Sequence, residues 1–429
     1  MNIFLRGGKN IRENMRWKIA FLLALASALN YIDRNTLAIL AVTIQSELNW
    51  TDADYANITA VFVFSYTIMY VISGQIVDRI GTRKGFAYSV GSWSLVSILH
   101  ALTQTVGQFS IARFFLGITE SANFPAGVKS VTEWFPIKER ALAIGIFNAG
   151  AAIGAALAIP IVSFVAVYFG WRMAFVITGF LGFIWLIAWL KYYYIPEKHP
   201  RISENEKKLI LQDEDKNSEN TTIKAKVSIR QLLSKKESWG CFSARIFIDP
   251  VTYFLLFWLP KYLQDVQGFT LSEIGAAAWL PYLALGTGTI LGGALPKYLI
   301  EKKGWSLNRA RKTVMLSASL AIPLFCFSLF AEISPVIALL LLSAIMLSHG
   351  LWSNITIPAE IYPKSVQATL TGIGGTFGGL MSVLSQKLIG ISVGNHSYLP
   401  VFIYVGSAYL LSFMLVQVLV GKLGIIRKI

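Results

Sequence analysis

The stretch Asn30-Tyr31-Ile32-Asp33-Arg34-Asn35-Thr36 sets an aspartate beside an arginine inside an apolar run from Trp17 to Val42. About 20 apolar residues cross a hydrocarbon core, so this run predicts a transmembrane helix. Asp33 falls about 24 Å along it at about 1.5 Å per residue, too deep to reach the surface by snorkelling. A charge at that depth costs a few kcal/mol and faces a protein interior or a water-filled cavity. A second pair, Arg113 and Glu120, lies in another apolar run. Their i,i+7 spacing puts them on one helix face, about 10 Å apart along the axis. Tyr31 and Arg34, at i,i+3, also share a face and could grip one ligand.

These residue types suit the joint handling of an anion and a proton. An anion in a low dielectric needs a fixed cation, and arginine offers a planar fork to a carboxylate. Burial favours the neutral form of a carboxylate, while a nearby arginine favours the charged form. A substrate that occupies the arginine therefore couples binding to protonation. Asp33, next to Arg34, is expected to be held by it and to be the secondary proton site. Glu120, among Gly117, Ile118, Ala122 and Phe124, is expected to be the principal one. The structural alternatives are an Asp33–Arg34 pair that cancels its own charge, and Glu120 as a plain partner of Arg113.

Later stretches are less charged at depth. Arg245 and Asp249, at i,i+4, are expected to pair with each other. His349 and Asn354, with Trp352 between them, are candidate substrate contacts. Histidine titrates near physiological pH, but a hydrogen-bonded interhelical histidine is the competing reading. The run Gly372–Gly379 lacks the lysine-serine/threonine ending of a phosphate loop and reads as close helix packing.

Composition supplies the frame for these residues. Of 429 residues, 55% are hydrophobic and 14% charged, against about 25% charged in soluble domains. The mean hydropathy is +0.57. Twelve spans are expected, from 17–44 to 399–421, giving an all-α membrane protein with two six-helix bundles. The bundles are residues 1–194 and 239–429, joined by a polar cytoplasmic linker, 195–238, with a surface helix near Ser228–Leu233. The net charge of +15 is spread over the loops of one side, which places both termini in the cytoplasm rather than pointing to nucleic acid. Two cysteines and four histidines give no disulfide framework and no metal spacing, so neither metal nor cofactor is expected.

The halves echo each other. Trp134-Phe135-Pro136 precedes a glycine-rich helix, and Ile361-Tyr362-Pro363 precedes another. Parallel half-repeats with a midplane site between them are a transporter signature. The loop Gly74-Gln-Ile-Val-Asp78-Arg79-Ile-Gly81-Thr-Arg83-Lys84 resembles the cytoplasmic signature of the major facilitator superfamily. Asp78 is expected to sit against a helix N-terminus or to hold a closed inner gate, with Gly74, Arg79, Gly81 and Arg83 completing the gating loop.

Within that superfamily the chain resembles the anion:cation symporters, especially their hexuronate and sugar-acid members. Tyr31-x-Asp33-Arg34-Asn35, Ala112-Arg113-Phe-Phe-Leu-Gly117-x-x-Glu120 with Phe124-Pro125-Ala126, and Glu133-Trp134-Phe135-Pro136-x-Lys138-Glu139-Arg140 carry the likeness. Asp249-Pro250 and Trp258-Leu-Pro260-Lys-Tyr262-Leu add to it. The resemblance implies proton-coupled uptake of a sugar acid across a bacterial inner membrane by a multi-pass protein, expected to be a monomer. It implies Arg34 and Arg113 on the substrate carboxylate, with Asp33 and Glu120 as proton carriers. An aldonate is the rival substrate. A membrane enzyme would need a nucleophile–base or metal constellation, and a sensor an appended signalling domain. Two buried arginines disfavour a drug exporter.

Overall fold

The computed structural model describes residues 15–218, 229–352, 357–362 and 364–423, and they contain no strand. The first half holds α1 (Met15–Leu48), α2 (Asp52–Ile80), α3 (Thr82–Leu99), α4 (Val106–Glu120), α5 (Asn123–Trp134), α6 (Ile137–Phe169) and α7 (Trp171–Tyr192). The connecting segment carries α8 (Glu204–Ser218) and α9 (Ile229–Leu233). The second half holds α10 (Lys236–Phe257), α11 (Leu259–Asp265), α12 (Leu271–Ala277), α13 (Trp279–Lys303) and α14 (Leu307–Ser328). It ends with α15 (Pro335–Leu351), α16 (Ile357–Ile361), α17 (Lys364–Gly394) and α18 (Leu399–Leu415).

Local sequence sets the helix starts. Thr51 and Asp54 form a reciprocal capping box at α2, and Thr270 and Glu273 form the same box at α12. Each box satisfies amide groups that a helix start leaves unpaired. Both begin the second helical stretch of their half. Packing repeats as well, when α4–α5, α10–α11, α12–α13 and α15–α16 each count as one broken stretch. In the first half α1 packs on α6, α2 on α4 and α3 on α7. In the second, α10 packs on α17, α13 on α15 and α14 on α18. Both halves thus pair first with fifth, second with fourth and third with sixth. The halves meet through α2 with α17, α6 with α12 and α13, and α1 with α10 and α11.

Among the described residues, seven helices are long and apolar enough to cross a membrane, or eight if the bent α2 counts as one span. The helices that fall short include α1, whose Asn30, Asp33, Arg34 and Asn35 are all buried. Those polar side chains lower its apolarity. The connecting segment is partly docked. Glu206 of α8 accepts from the Met15 and Arg16 amides, both at 3.1 Å, and from Arg16 Nη1 at 3.0 Å. It thereby serves the orphan amides at the start of α1.

Glycine permits the tightest approaches. A Cβ on Gly150 would lie 2.1 Å from the Ala24 carbonyl oxygen, and one on Gly154 would lie 2.3 Å from that of Ala28. The glycine run of α17 packs tightly too, since a Cβ on Gly378 would lie 2.1 Å from Asp249 Oδ2 and one on Gly379 2.3 Å from Thr67 Oγ1. Gly150→Ala should push α6 off α1 and lower the melting temperature in detergent, at a cost of about 1–3 kcal/mol. Gly145→Ala, where a Cβ meets nothing within 4 Å, should leave the melting temperature unchanged or raised.

Candidate functional site

The arginine of α1 is held by α4. Arg34 Nη2 lies 3.1 Å and Nε 3.2 Å from Glu120 Oε2, with both side chains buried. Arg34 Nη2 also donates to Asn30 Oδ1 at 3.3 Å, one turn earlier. Aromatic rings surround the guanidinium: Tyr66 at 4.6 Å, Tyr31 at 5.0 Å and Phe62 at 5.3 Å from ring centroids. Cation–π contact compensates a desolvated cation in part. Phe62 in turn meets Phe257 of α10 edge-on at 5.9 Å, and Tyr253 of α10 lies within electrostatic range of Arg34. The cluster therefore faces the second bundle.

This geometry corrects the expected pairing. Arg34 is held by Glu120, not by Asp33. Successive residues of a helix point about 100° apart, so the two neighbours diverge onto different partners. Asp33 Oδ1 accepts from Ser97 Oγ of α3 at 2.7 Å. Arg113 makes no hydrogen bond to Glu120, although the two charges lie within electrostatic range. Its Nη1 donates to the Arg34 carbonyl at 3.4 Å, and its guanidinium lies 5.8 Å from the Phe62 ring centroid. Arg113 Nε and Nη2, Asp33 Oδ2 and Glu120 Oε1 are buried without a hydrogen-bond partner. Asp33, Arg34, Arg113 and Glu120 thus belong to one buried group, with the half-buried Tyr31 against the Arg34 guanidinium.

Sequence reasoning missed Ser97, Asn30, Phe62 and Tyr66. Asn30 was visible in principle, being i−4 from Arg34. The others come from α2 and α3, and only tertiary packing brings them to α1.

Several further positions stand elsewhere. His349 has Tyr409 OH on Nδ1 and Thr252 Oγ1 at 3.3 Å on Nε2, linking α15 to α18 and α10. These are the contacts of a hydrogen-bonded interhelical histidine. Asn354 lies outside the described residues. Arg245 and Asp249 pair at 2.9 Å, as their spacing implies. In the last turn of α2, Asp78 is exposed and meets Lys129 Nζ of α5 at 2.8 Å rather than a helix N-terminus. Arg83 donates to the Tyr193 carbonyl at 2.7 Å and the Leu190 carbonyl at 2.5 Å, closing the end of α7. Gly81 adopts φ +84° between α2 and α3, a conformation that favours glycine. Gly74 faces Pro125, and Arg79 is exposed.

The sequence profile of the Major Facilitator Superfamily matches residues 23–386, and the chain belongs to that superfamily of multi-pass membrane transporters. It is 34% identical over 393 residues to the hexuronate transporter of Escherichia coli K12, covering 91% of this chain and 90% of that one. It is 34% identical over 308 residues to the galacturonate transporter of Dickeya chrysanthemi, covering 72% and 89%. Among solved structures, a bacterial homologue of the human lysosomal transporter Spinster, inward-facing and unoccupied, matches with a TM-score of 0.75 at 18% identity. That match covers 95% of this chain and 98% of the other, and it shows the fold.

Removing one partner of a buried ion pair leaves an uncompensated charge, at a cost of about 3–5 kcal/mol. Glu120→Ala should therefore lower the melting temperature sharply in detergent. Glu120→Gln keeps an acceptor for Arg34 and should lose much less. Equal melting for both variants would show that Arg34 does not depend on this partner.

Proposed function

We infer that this protein is a proton-coupled symporter importing a hexuronate, such as galacturonate or glucuronate, across the inner membrane by alternating access. The observation that carries the reading is the buried Arg34–Glu120 pair at 3.1 Å. Its arginine is the only part of the pair that an incoming carboxylate can use. Substrate and Glu120 therefore compete for one guanidinium. When substrate wins, Glu120 loses its cation in a desolvated site, where a carboxylate favours its neutral form. It takes up a proton, and substrate binding becomes proton binding. The unpartnered N–H groups of Arg113 supply a second fork for the same carboxylate or for a sugar hydroxyl. Asp33, hydrogen-bonded to Ser97 and apart from the ion pair, serves as the other proton carrier.

The named relatives favour a hexuronate, since they handle hexuronate or galacturonate at 34% identity. An aldonate, galactonate-like, is the alternative, because the arginine site recognises the carboxylate common to both. The fuller architecture belongs to this reading: twelve spans in two six-helix bundles, 1–194 and 239–429, with 195–238 and both termini cytoplasmic. The protein works as a monomer and is not an enzyme; His349 serves packing, and Asp78 with its loop serves the inner gate.

Lysine keeps the charge of arginine but loses its two-pronged geometry. Arg34→Lys and Arg113→Lys should each weaken galacturonate binding at least about tenfold by calorimetry, in line with hydrogen bonds to charged groups being worth about 1.5–3 kcal/mol. Normal affinity in both variants would remove the arginines from the site.

Glu120→Gln mimics the protonated acid. In proteoliposomes it should abolish accumulation driven by a pH gradient while keeping counterflow, because exchange needs no net proton movement. Continued accumulation would move the coupling role to Asp33.

A further inference from the structure

The two bundles are tied by polar contacts at the end of the molecule where α1 meets α2. Lys261 of α11 is 5% exposed, and its Nζ lies 2.9 Å from Asp52 of α2 and 2.7 Å from Asp265 of its own helix. Gln45 Nε2 donates to Asp52 at 3.1 Å, and Tyr398 OH donates to Asp265 at 3.1 Å. Two backbone contacts join the same end. Tyr55 OH donates to the Phe257 carbonyl at 2.6 Å, and Gln264 Nε2 to that of Ile39 at 3.4 Å. At the opposite end, among the described residues, charged groups pair within their own half or with the connecting segment: Asp78 with Lys129, Arg16 with Glu139 and Glu206, and Arg311 with Glu360.

We propose that Lys261 is the releasable latch of the outer gate. In each transport cycle its ammonium must let go of Asp52 while keeping Asp265. The partners on either side make that release inexpensive. Lys261 and Asp265 are i,i+4 on one helix and move together, so the lysine keeps a counterion when the bundles part. Asp52 keeps Gln45 of its own bundle and sits in the first turn of α2, where the helix N-terminus favours a carboxylate. Neither charge is stranded on opening, which avoids the penalty of an unpaired buried charge. A solvent-open surface pocket lined by Val42, Gln45, Trp50, Asp52, Lys261 and Gly394 lies beside the latch. It supplies room for water to solvate both ions once they separate. The inference rests on the alternating-access reading above, which makes this end the outer face.

Double electron–electron resonance between spin labels on Ser46→Cys and Asn395→Cys reports the separation of this end without any substrate. Both positions are exposed, one on each bundle, and the buried native cysteines are replaced by Cys241→Ser and Cys326→Ser. Asp52→Asn and Lys261→Met should each raise the ratio of long-distance to short-distance populations about tenfold, equivalent to about 1.4 kcal/mol. Lys261→Arg keeps the cation between Asp52 and Asp265 and should keep the short distance. An unchanged distribution in either Asp52→Asn or Lys261→Met, or a Lys261→Arg chain as open as Lys261→Met, overturns the latch. Because this readout needs neither sugar nor proton gradient, it fails or succeeds independently of the uptake assays.

Discussion

The structure depends on one buried ion pair. Arg34 and Glu120 reach each other from α1 and α4 in a region with almost no solvent access. Neither could be there alone, since an isolated ion in a low-dielectric interior carries a penalty of several kcal/mol. Together they offset part of that penalty through a direct hydrogen-bonded contact. Glu120 keeps a bare oxygen, and the neighbouring Arg113 keeps two bare N–H groups. A fully satisfied network would lock the helices. In the proposed symport, that incompleteness is what would let the partners exchange.

The surrounding elements serve that pair. Gly150 and Gly154 let α6 press its backbone against α1, which fixes the height and rotation of the helix bearing Asp33 and Arg34. Phe62 and Tyr66 rise from α2 to face the guanidinium, and Phe62 carries the contact on to Phe257 in the other bundle. The arginine thus sits where the two halves meet, against α10. In the proposed symport, a ligand on Arg34 would touch the surface between the bundles, which would link occupancy of the site to their packing.

Much of this was legible in the sequence, for identifiable reasons. Charged residues in long apolar runs are costly, so Asp33, Arg34, Arg113 and Glu120 stood out from the text alone, and the structure gathers all four. The i,i+4 pair Arg245–Asp249 followed from helix geometry, and of the run Gly372–Gly379 the close packing falls at Gly378 and Gly379. Partner choice did not. Adjacency in sequence pointed Asp33 at Arg34, whereas a helix turns neighbours apart and gives Arg34 to Glu120, 86 positions away. His349 drew notice as a titratable group, but what it touches is decided by Tyr409 and Thr252 on other helices. Lys261 lay in a quoted motif without any sign that α11 would bring it to Asp52.

The central claim is that substrate displaces Glu120 from Arg34 and that Glu120 then takes up a proton. Mixing purified protein with galacturonate in weakly buffered detergent solution, with a pH indicator dye, measures this directly. The account predicts net proton uptake on binding by the native chain, and its loss in Glu120→Gln although galacturonate still binds. Binding by the native protein without proton uptake, or unchanged uptake in the Glu120→Gln variant, would contradict it.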